Sequence, residues 1–147
     1  MALSSARVRE YLVDVPQIDQ RLPVAASAVI YSGALLMFSS GAVAPLSGAG
    51  VFAGIAMETV TGGAAAGAVD CLVRVLGAIR IAVTSDTPTL AIVGVTATVP
   101  EATDDDTVRI ETASAITGTA IGKFMRVVEP SVVGGKVDIS IKGAHIA

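Results

Sequence analysis

The sequence predicts an all-β protein, a compact antiparallel β-barrel or sandwich with an extended N-terminal arm. Three observations lead there. Short runs of aliphatic and β-branched residues recur between Gly, Pro, Ser and Asp turn signals, about eight to ten such runs in all, as in sandwiches and barrels. The hydrophobic fraction of 52% comes from Ala, Val and Ile, with 3% aromatic residues and no Trp, and small branched side chains suit a tightly packed pleated surface. Charged residues make up only 16%, against about a quarter in ordinary soluble domains, and a cluster of them lies in residues 1–22. A chain of 147 residues can bury a core without metal or disulfide.

Residues 1–22 hold Arg7, Arg9, Glu10, Asp14, Asp19 and Arg21, and Pro16 and Pro23 prevent one continuous helix. Tyr11-Leu12-Val13-Asp14-Val15 has the pattern of a short strand. Two readings stand for this segment: an arm that adds a strand to another subunit's sheet, or an edge strand on the chain's own domain. Residues 23–147 form the β domain. Its expected strands begin with Ala28–Tyr31, Ala34–Phe38 and Ala42–Pro45, followed by a flexible Ser47-Gly48-Ala49-Gly50. A longer strand spans Val51–Val60, with Gly54 as a bulge or point of close approach. After the small-residue loop Thr61–Gly67 come Val69–Leu76 and Ala78–Val83, two strands joined around Gly77. Thr84–Pro88 is a turn, and Leu90–Val99 is a strand running through Gly94. The one weak helix candidate is Thr87–Gly94. Pro100–Asp106 is an acidic loop, Thr107–Glu111 alternates as a strand, and Ala120–Val128 and Lys136–Ile141 close the domain.

The longest uncharged stretch, Leu22–Met57, is broken by Pro23, Pro45 and several Gly and Ser residues, so it reads as strands and turns and not as a spanning helix. Met1–Ser5 lacks the basic start and apolar run of a signal peptide, which makes the cytoplasm the expected place of synthesis. Net charge is −3 with pI about 5.0 and no basic patch, which predicts neither a nucleic-acid nor a membrane partner.

The residues offer little chemistry. Cys71, alone, reads as a buried small hydrophobe in an alternating strand. His145, the single histidine, lies near the C-terminus, where catalytic geometry is rarely held. Asp104-Asp105-Asp106 lacks the ligand spacing of a Ca²⁺ loop and reads as a solvated turn. Gly62–Gly67 lacks the Lys-Ser/Thr ending of a phosphate loop. No catalytic residue, metal site or cofactor is predicted. Arg74 and Arg80, expected on adjacent strands, face one another or an acidic partner, with Glu58 available to either. The three read as rim or intersubunit charges.

The order of these segments resembles the decoration, or cement, proteins of tailed bacteriophages over residues 24–142. The likeness is carried by Ala28-Val29-Ile30-Tyr31-Ser32-Gly33-Ala34-Leu35-Leu36, by Gly41, by Val51-Phe52-Ala53-Gly54-Ile55-Ala56 and by Val73-Arg74-Val75-Leu76-Gly77. Ala120-Ile121-Gly122-Lys123-Phe124 and Val137-Asp138-Ile139-Ser140-Ile141 follow in order. Where such proteins carry Gly-Asp-x-Val-Tyr, this chain has Thr103-Asp104-Asp105-Asp106-Thr107-Val108. The resemblance implies a non-enzymatic structural protein of the virion, assembled in the host cytoplasm. It would bind the outside of the head, commonly as a trimer, and bridge and stabilise major capsid protein subunits.

On that reading Tyr11, Leu12, Val13 and Val15 of the arm contact the capsid, and deleting residues 1–22 weakens attachment more than folding. Scarce charge also predicts a closed homo-oligomer. The alternative is a surface module that binds host carbohydrate, for which the only aromatic platforms are Tyr11, Tyr31, Phe38, Phe52 and Phe124. A small hydrolase fits least, given the lone histidine.

Overall fold

The structure, a computed structural model, describes residues 6, 8–47, 50–83, 86–100, 107–110 and 118–146. The expected acidic run Asp104–Asp106 lies outside them, as do Gly48-Ala49 of the expected flexible segment, Thr84-Ser85 of the expected turn and Glu111 of the expected strand Thr107–Glu111. The chain is all β. Its strands are β1 (Glu10–Tyr11), β2 (Ile18–Pro23), β3 (Val29–Ile30), β4 (Leu35–Ser39), β5 (Ala42–Pro45), β6 (Phe52–Ala56), β7 (Val60–Thr61), β8 (Asp70–Val83), β9 (Thr96–Pro100), β10 (Thr107–Ile110), β11 (Gly118–Val127) and β12 (Lys136–Lys142).

Strand β8 organises the rest. Its alternation, interrupted at the buried Ala78, buries Cys71, Val73, Val75, Ile79, Ile81 and Val83 on one face, while Leu72, Arg74, Leu76 and Arg80 stay partly exposed on the other. Two strands joined at Gly77 were expected, but β8 is one strand of 14 residues. It stays extended because β12 pairs across the glycine without a register shift, from Lys136 opposite Ala82 to Lys142 opposite Leu76.

The sheet curls around both halves of β8. Beyond β12 come β11, β9 and β10, and β10 returns to β8 through a short parallel pairing of Thr107 and Val108 with Ala82 and Val83. That closes a five-stranded ring. Around the other half the order is β8, β6, β4 and β5. A parallel bridge from Val43 to Val24 then connects to β2, which itself pairs with β8. The first ring encloses Ile79, Ile81, Ile121, Phe124, Ile139 and Ile141, and the second Val24, Ile30, Leu36, Val43, Cys71 and Val73.

Strands β4 and β6 stand between the two cores. Leu35 and Ile55 pack into the first, and Leu36, Ala53 and Ala56 into the second. A strand buried on both faces has no polar side to show, so β6 reads Phe-Ala-Gly-Ile-Ala without a polar residue. The register against β4 slips at Gly54, whose φ is +146°. A Cβ there would run into the Arg74 carbonyl oxygen and lie 2.6 Å from Val73 Cγ1. Gly54 is thus both a bulge and a point of close approach.

Elsewhere the expected strands differ in extent. Val51–Val60 divides into β6 and β7: the Met57 N–H still binds the Leu72 carbonyl, but the Leu72 N–H that would return the bond donates to Glu58 Oε1, and the ladder with β8 ends there. Ala28–Tyr31 contracts to β3, which pairs with β7 alone. Leu90–Val99 begins only at Thr96, since Leu90–Ile92 forms a 3-10 turn in which the Ile92 N–H binds the Thr89 carbonyl and the Val93 N–H that of Leu90. This turn is all that forms of the helix candidate Thr87–Gly94.

The boundary drawn at residues 22/23 falls inside β2. Residues 18–23 pair with Asp70–Leu76, and Glu10 and Tyr11 pair with Arg80 and Ile79. The Leu12 N–H donates to the Ala78 carbonyl at 2.9 Å. Strands β1 and β2 therefore run in line along one edge of β8, interrupted by residues 13–17. Removing residues 1–22 takes away a paired strand; the expected loss is roughly 3 kcal/mol or more, a fall in Tm of about 6–12 °C for a chain this size. Gly122→Ala places a Cβ against the Ser140 carbonyl oxygen of the adjacent strand. That overpacking costs about 2 kcal/mol or more, read as a lower melting temperature by circular dichroism.

Candidate functional site

The polar chemistry of the chain is concentrated on the outward face of β8, under the N-terminal segment. Asp19 stands opposite Arg74 in the ladder and takes both ends of its guanidinium, Nε to Oδ1 at 2.8 Å and Nη2 to Oδ2 at 3.2 Å. The same guanidinium carbon lies 4.8 Å from the centroid of the Tyr11 ring, in range for a cation–π contact. Burial raises the Tyr11 phenol above its ordinary pKa, and Arg9 and Arg74 offset only part of the rise.

Six residues further along, Arg80 donates to Asp138, Nε to Oδ1 at 2.8 Å and Nη2 to Oδ2 at 3.2 Å. Arg126 of β11 donates to the same carboxylate, Nε to Oδ2 at 2.7 Å. Asp138 sits between its two cations because β12 runs between β8 and β11, with residue 138 opposite both 80 and 126. Its side chain is 0% exposed. Burial pushes its pKa up, but the bonds donated by Arg80 and Arg126 outweigh burial and hold the carboxyl below its ordinary value. Two weaker ion pairs join the N-terminal segment to this cluster, Asp14 to Arg126 at 3.8 Å and Glu10 to Lys136 at 3.6 Å.

The expected arm contacts divide. Tyr11 and Leu12 are half-buried against the body, Val13 is 85% exposed, and Val15 is half-buried. Val15 and Pro16 line a groove of about 290 Å³ with Leu76, Gly77, Met125 and Ile141. The expected rim charges are arranged differently from the sequence reading. Arg74 and Arg80 lie on one strand and one face, because β8 does not break at Gly77, and each has its own carboxylate. Glu58 pairs with neither; it accepts from Arg21 Nη1 at 3.1 Å and from the Leu72 N–H at 3.0 Å.

Cys71 is buried, and burial, reinforced by Glu58, pushes its thiol up to about 11. It is therefore protonated at neutral pH and a poor nucleophile. The His145 ring stands edge-on to Phe38 and its Nε2 is 2.7 Å from Gln20 Oε1. Among the described residues no group of three or more His, Cys, Asp or Glu could hold a metal ion, and no helix is long and apolar enough to cross a membrane.

Sequence reasoning missed Asp138 and Arg126. In Val137-Asp138-Ile139-Ser140-Ile141 the alternation marks position 138 as outward, and nothing local signals that two arginines and the N-terminal segment bury it. By sequence, no protein-family model matches this chain, and no curated protein is similar to it.

The cluster predicts a pH dependence. A carboxyl whose folded pKa is lowered contributes stability that is present above its unfolded value near 3.9 and is lost as pH falls through the folded pKa. Stability is expected to decline steeply below about pH 4. Asp138→Asn flattens that decline and costs roughly 1–3 kcal/mol at neutral pH. Urea melts of both proteins between pH 3 and 7 measure the two effects.

Proposed function

We propose that the protein is a structural module without enzymatic activity, a capsid decoration protein that binds the outside of an assembled phage head and bridges its subunits as a closed homo-oligomer. The reading rests on the segment order described above and, in the structure, on one observation: large aliphatic side chains are exposed on two elements away from the cores. Leu90 is 82% exposed and Val133 71%, with Val93 and Val132 about half exposed. These four belong to loops tied together by bonds from the Ser131 N–H to the Pro88 carbonyl and from the Gly134 N–H to the Asp86 carbonyl. Val8 and Val13 of the N-terminal segment are 96% and 85% exposed. Apolar groups grouped in this way favour a protein partner, and a bridging protein needs one surface for its own copies and another for the shell.

The rigid frame supports the same reading. Two closed rings on one strand leave few free edges and resist deformation, as a reinforcing element must. The buried, protonated Cys71 and the paired carboxylates argue for a structural role over a catalytic one.

The test is cosedimentation with undecorated capsids, with light scattering for the oligomer. The wild-type protein is expected to bind and to be larger than a monomer at micromolar concentration. Leu90→Ser combined with Val133→Ser is expected to keep the wild-type Tm and to weaken shell binding or self-association about tenfold or more. Binding to a glycan array in place of capsids would favour the carbohydrate-binding alternative and overturn this one.

A further inference from the structure

We propose that the N-terminal strand is exchangeable between copies: the Glu10–Tyr11 segment of one molecule docks on the β8 edge of a second copy, at the place it occupies on its own β8 in this structure. The inference deepens the reading of the protein as an assembling structural module and rests on it.

The slot is a gap in an otherwise occupied edge. Strand β2 covers β8 up to Leu76, and β10 begins at Ala82. Between them β8 offers residues 77–81, filled among the described residues by β1 and by the Leu12–Ala78 bond. An edge left open there would present unpaired backbone groups, so the slot requires a strand, but the pairing does not dictate whose.

The chain next to this strand carries slack. Leu12 faces Ala78 and Ile18 faces Leu76, so a continuous strand needs one residue between them, opposite Gly77. The chain supplies five, Val13 to Gln17, including Pro16, which has no N–H to give a ladder. The four surplus residues, straightened at about 3.3 Å each, let the strand reach about 13 Å further.

The docked strand is also lightly held. Its ladder is two residues long, supplemented by the Leu12–Ala78 bond, by Arg9 Nε donating to the Gly33 carbonyl at 2.8 Å and by the half-buried Tyr11 ring against the Arg74 guanidinium. The ion pair of Glu10 to Lys136, and that of Asp14 in the adjoining segment to Arg126, join groups that are half exposed or more, and such pairs contribute little. Val8 and Val13 gain no burial in the docked position. A second copy carries the same segment and the same slot, so exchange preserves the β1 ladder, the Leu12 and Arg9 bonds and the Glu10–Lys136 pair, and changes only the path of residues 13–17 and with it the exposed Asp14–Arg126 pair. That is the condition under which strand swapping is inexpensive.

The experiment uses the full chain in a Cys71→Ser background. Glu10 and Lys136 are ion-paired in the docked state, and both are exposed, so neither substitution threatens the fold. One preparation carries Glu10→Cys and a second, of different tag length, carries Lys136→Cys. They are mixed, incubated and treated with a short bismaleimide. A double variant with both substitutions, cross-linked in dilute solution, reports folding and docking within one chain. Exchange predicts a mixed-size product that rises with concentration. Deleting Val13–Pro16, which leaves Gln17 opposite Gly77, should reduce that product about tenfold or more while the intrachain product persists. Absence of the mixed product where the double variant links within its chain overturns the proposal, as does an undiminished mixed product from the deletion variant. Because no capsid is present, this outcome is separate from the result of the cosedimentation test.

Discussion

The continuity of β8 is the constraint on which the rest of the structure depends. Fourteen extended residues span about 46 Å, longer than most strands in globular proteins, and both rings are built on it. Its inward residues enter one core before Gly77 and the other after it. A break at Gly77 would release two small rings, each with too few large side chains to be stable alone. Pairing to β12 across the glycine prevents that break, and the C-terminal residues add to the closure: the Gly143 N–H binds the Val75 carbonyl and the Ala144 N–H binds that of Phe52.

Sharing one strand between two rings imposes a composition. The β4–β6 wall must be apolar on both sides and thin enough to pass close to β8, so it uses Ala and Gly where an ordinary half-buried strand would alternate with polar residues. Gly54 carries this furthest, since the Arg74 backbone occupies the space of any side chain there. The high hydrophobic fraction and the lack of bulky aromatics therefore have a cause in the architecture as well as in any partner surface.

Among the described residues many of the charges are used in pairs, and the pairs hold elements together. Asp19 with Arg74 joins β2 to β8. Arg80, Asp138 and Arg126 join three adjacent strands of the first ring, and the weaker pairs of Glu10 and Asp14 lay the N-terminal segment over them. A carboxylate buried between two guanidinium groups is not required for stability as such; its effect here is to favour one register of three strands. The proposed roles in assembly make use of what this arrangement leaves over: exposed aliphatic residues on linked loops, and an edge strand with surplus chain beside it.

The amino-acid sequence by itself determined the β class, the positions of most strands and the special status of Gly54, because alternation and turn residues act over a few neighbouring positions. It also marked Cys71 as a core residue, but it marked Arg74 and Arg80 as rim or intersubunit charges with Glu58 as an available partner and did not reveal their carboxylates, Asp19 and Asp138. Only the tertiary structure decided the rest. Gly77 is locally a plausible turn, and pairing with Ile141 of β12, more than sixty residues later, keeps it extended. Asp138 is locally an outward strand residue, and strands on either side bury it. Leu90–Ile92 has strand-like composition, yet backbone bonds within a single turn hold it out of the ladder. Tyr11 to Val15 alternates like a strand but pairs only as far as Leu12, where the chain leaves the β8 edge. In each case the deciding partner lies far away in sequence or in backbone hydrogen bonds, which side-chain pattern does not encode.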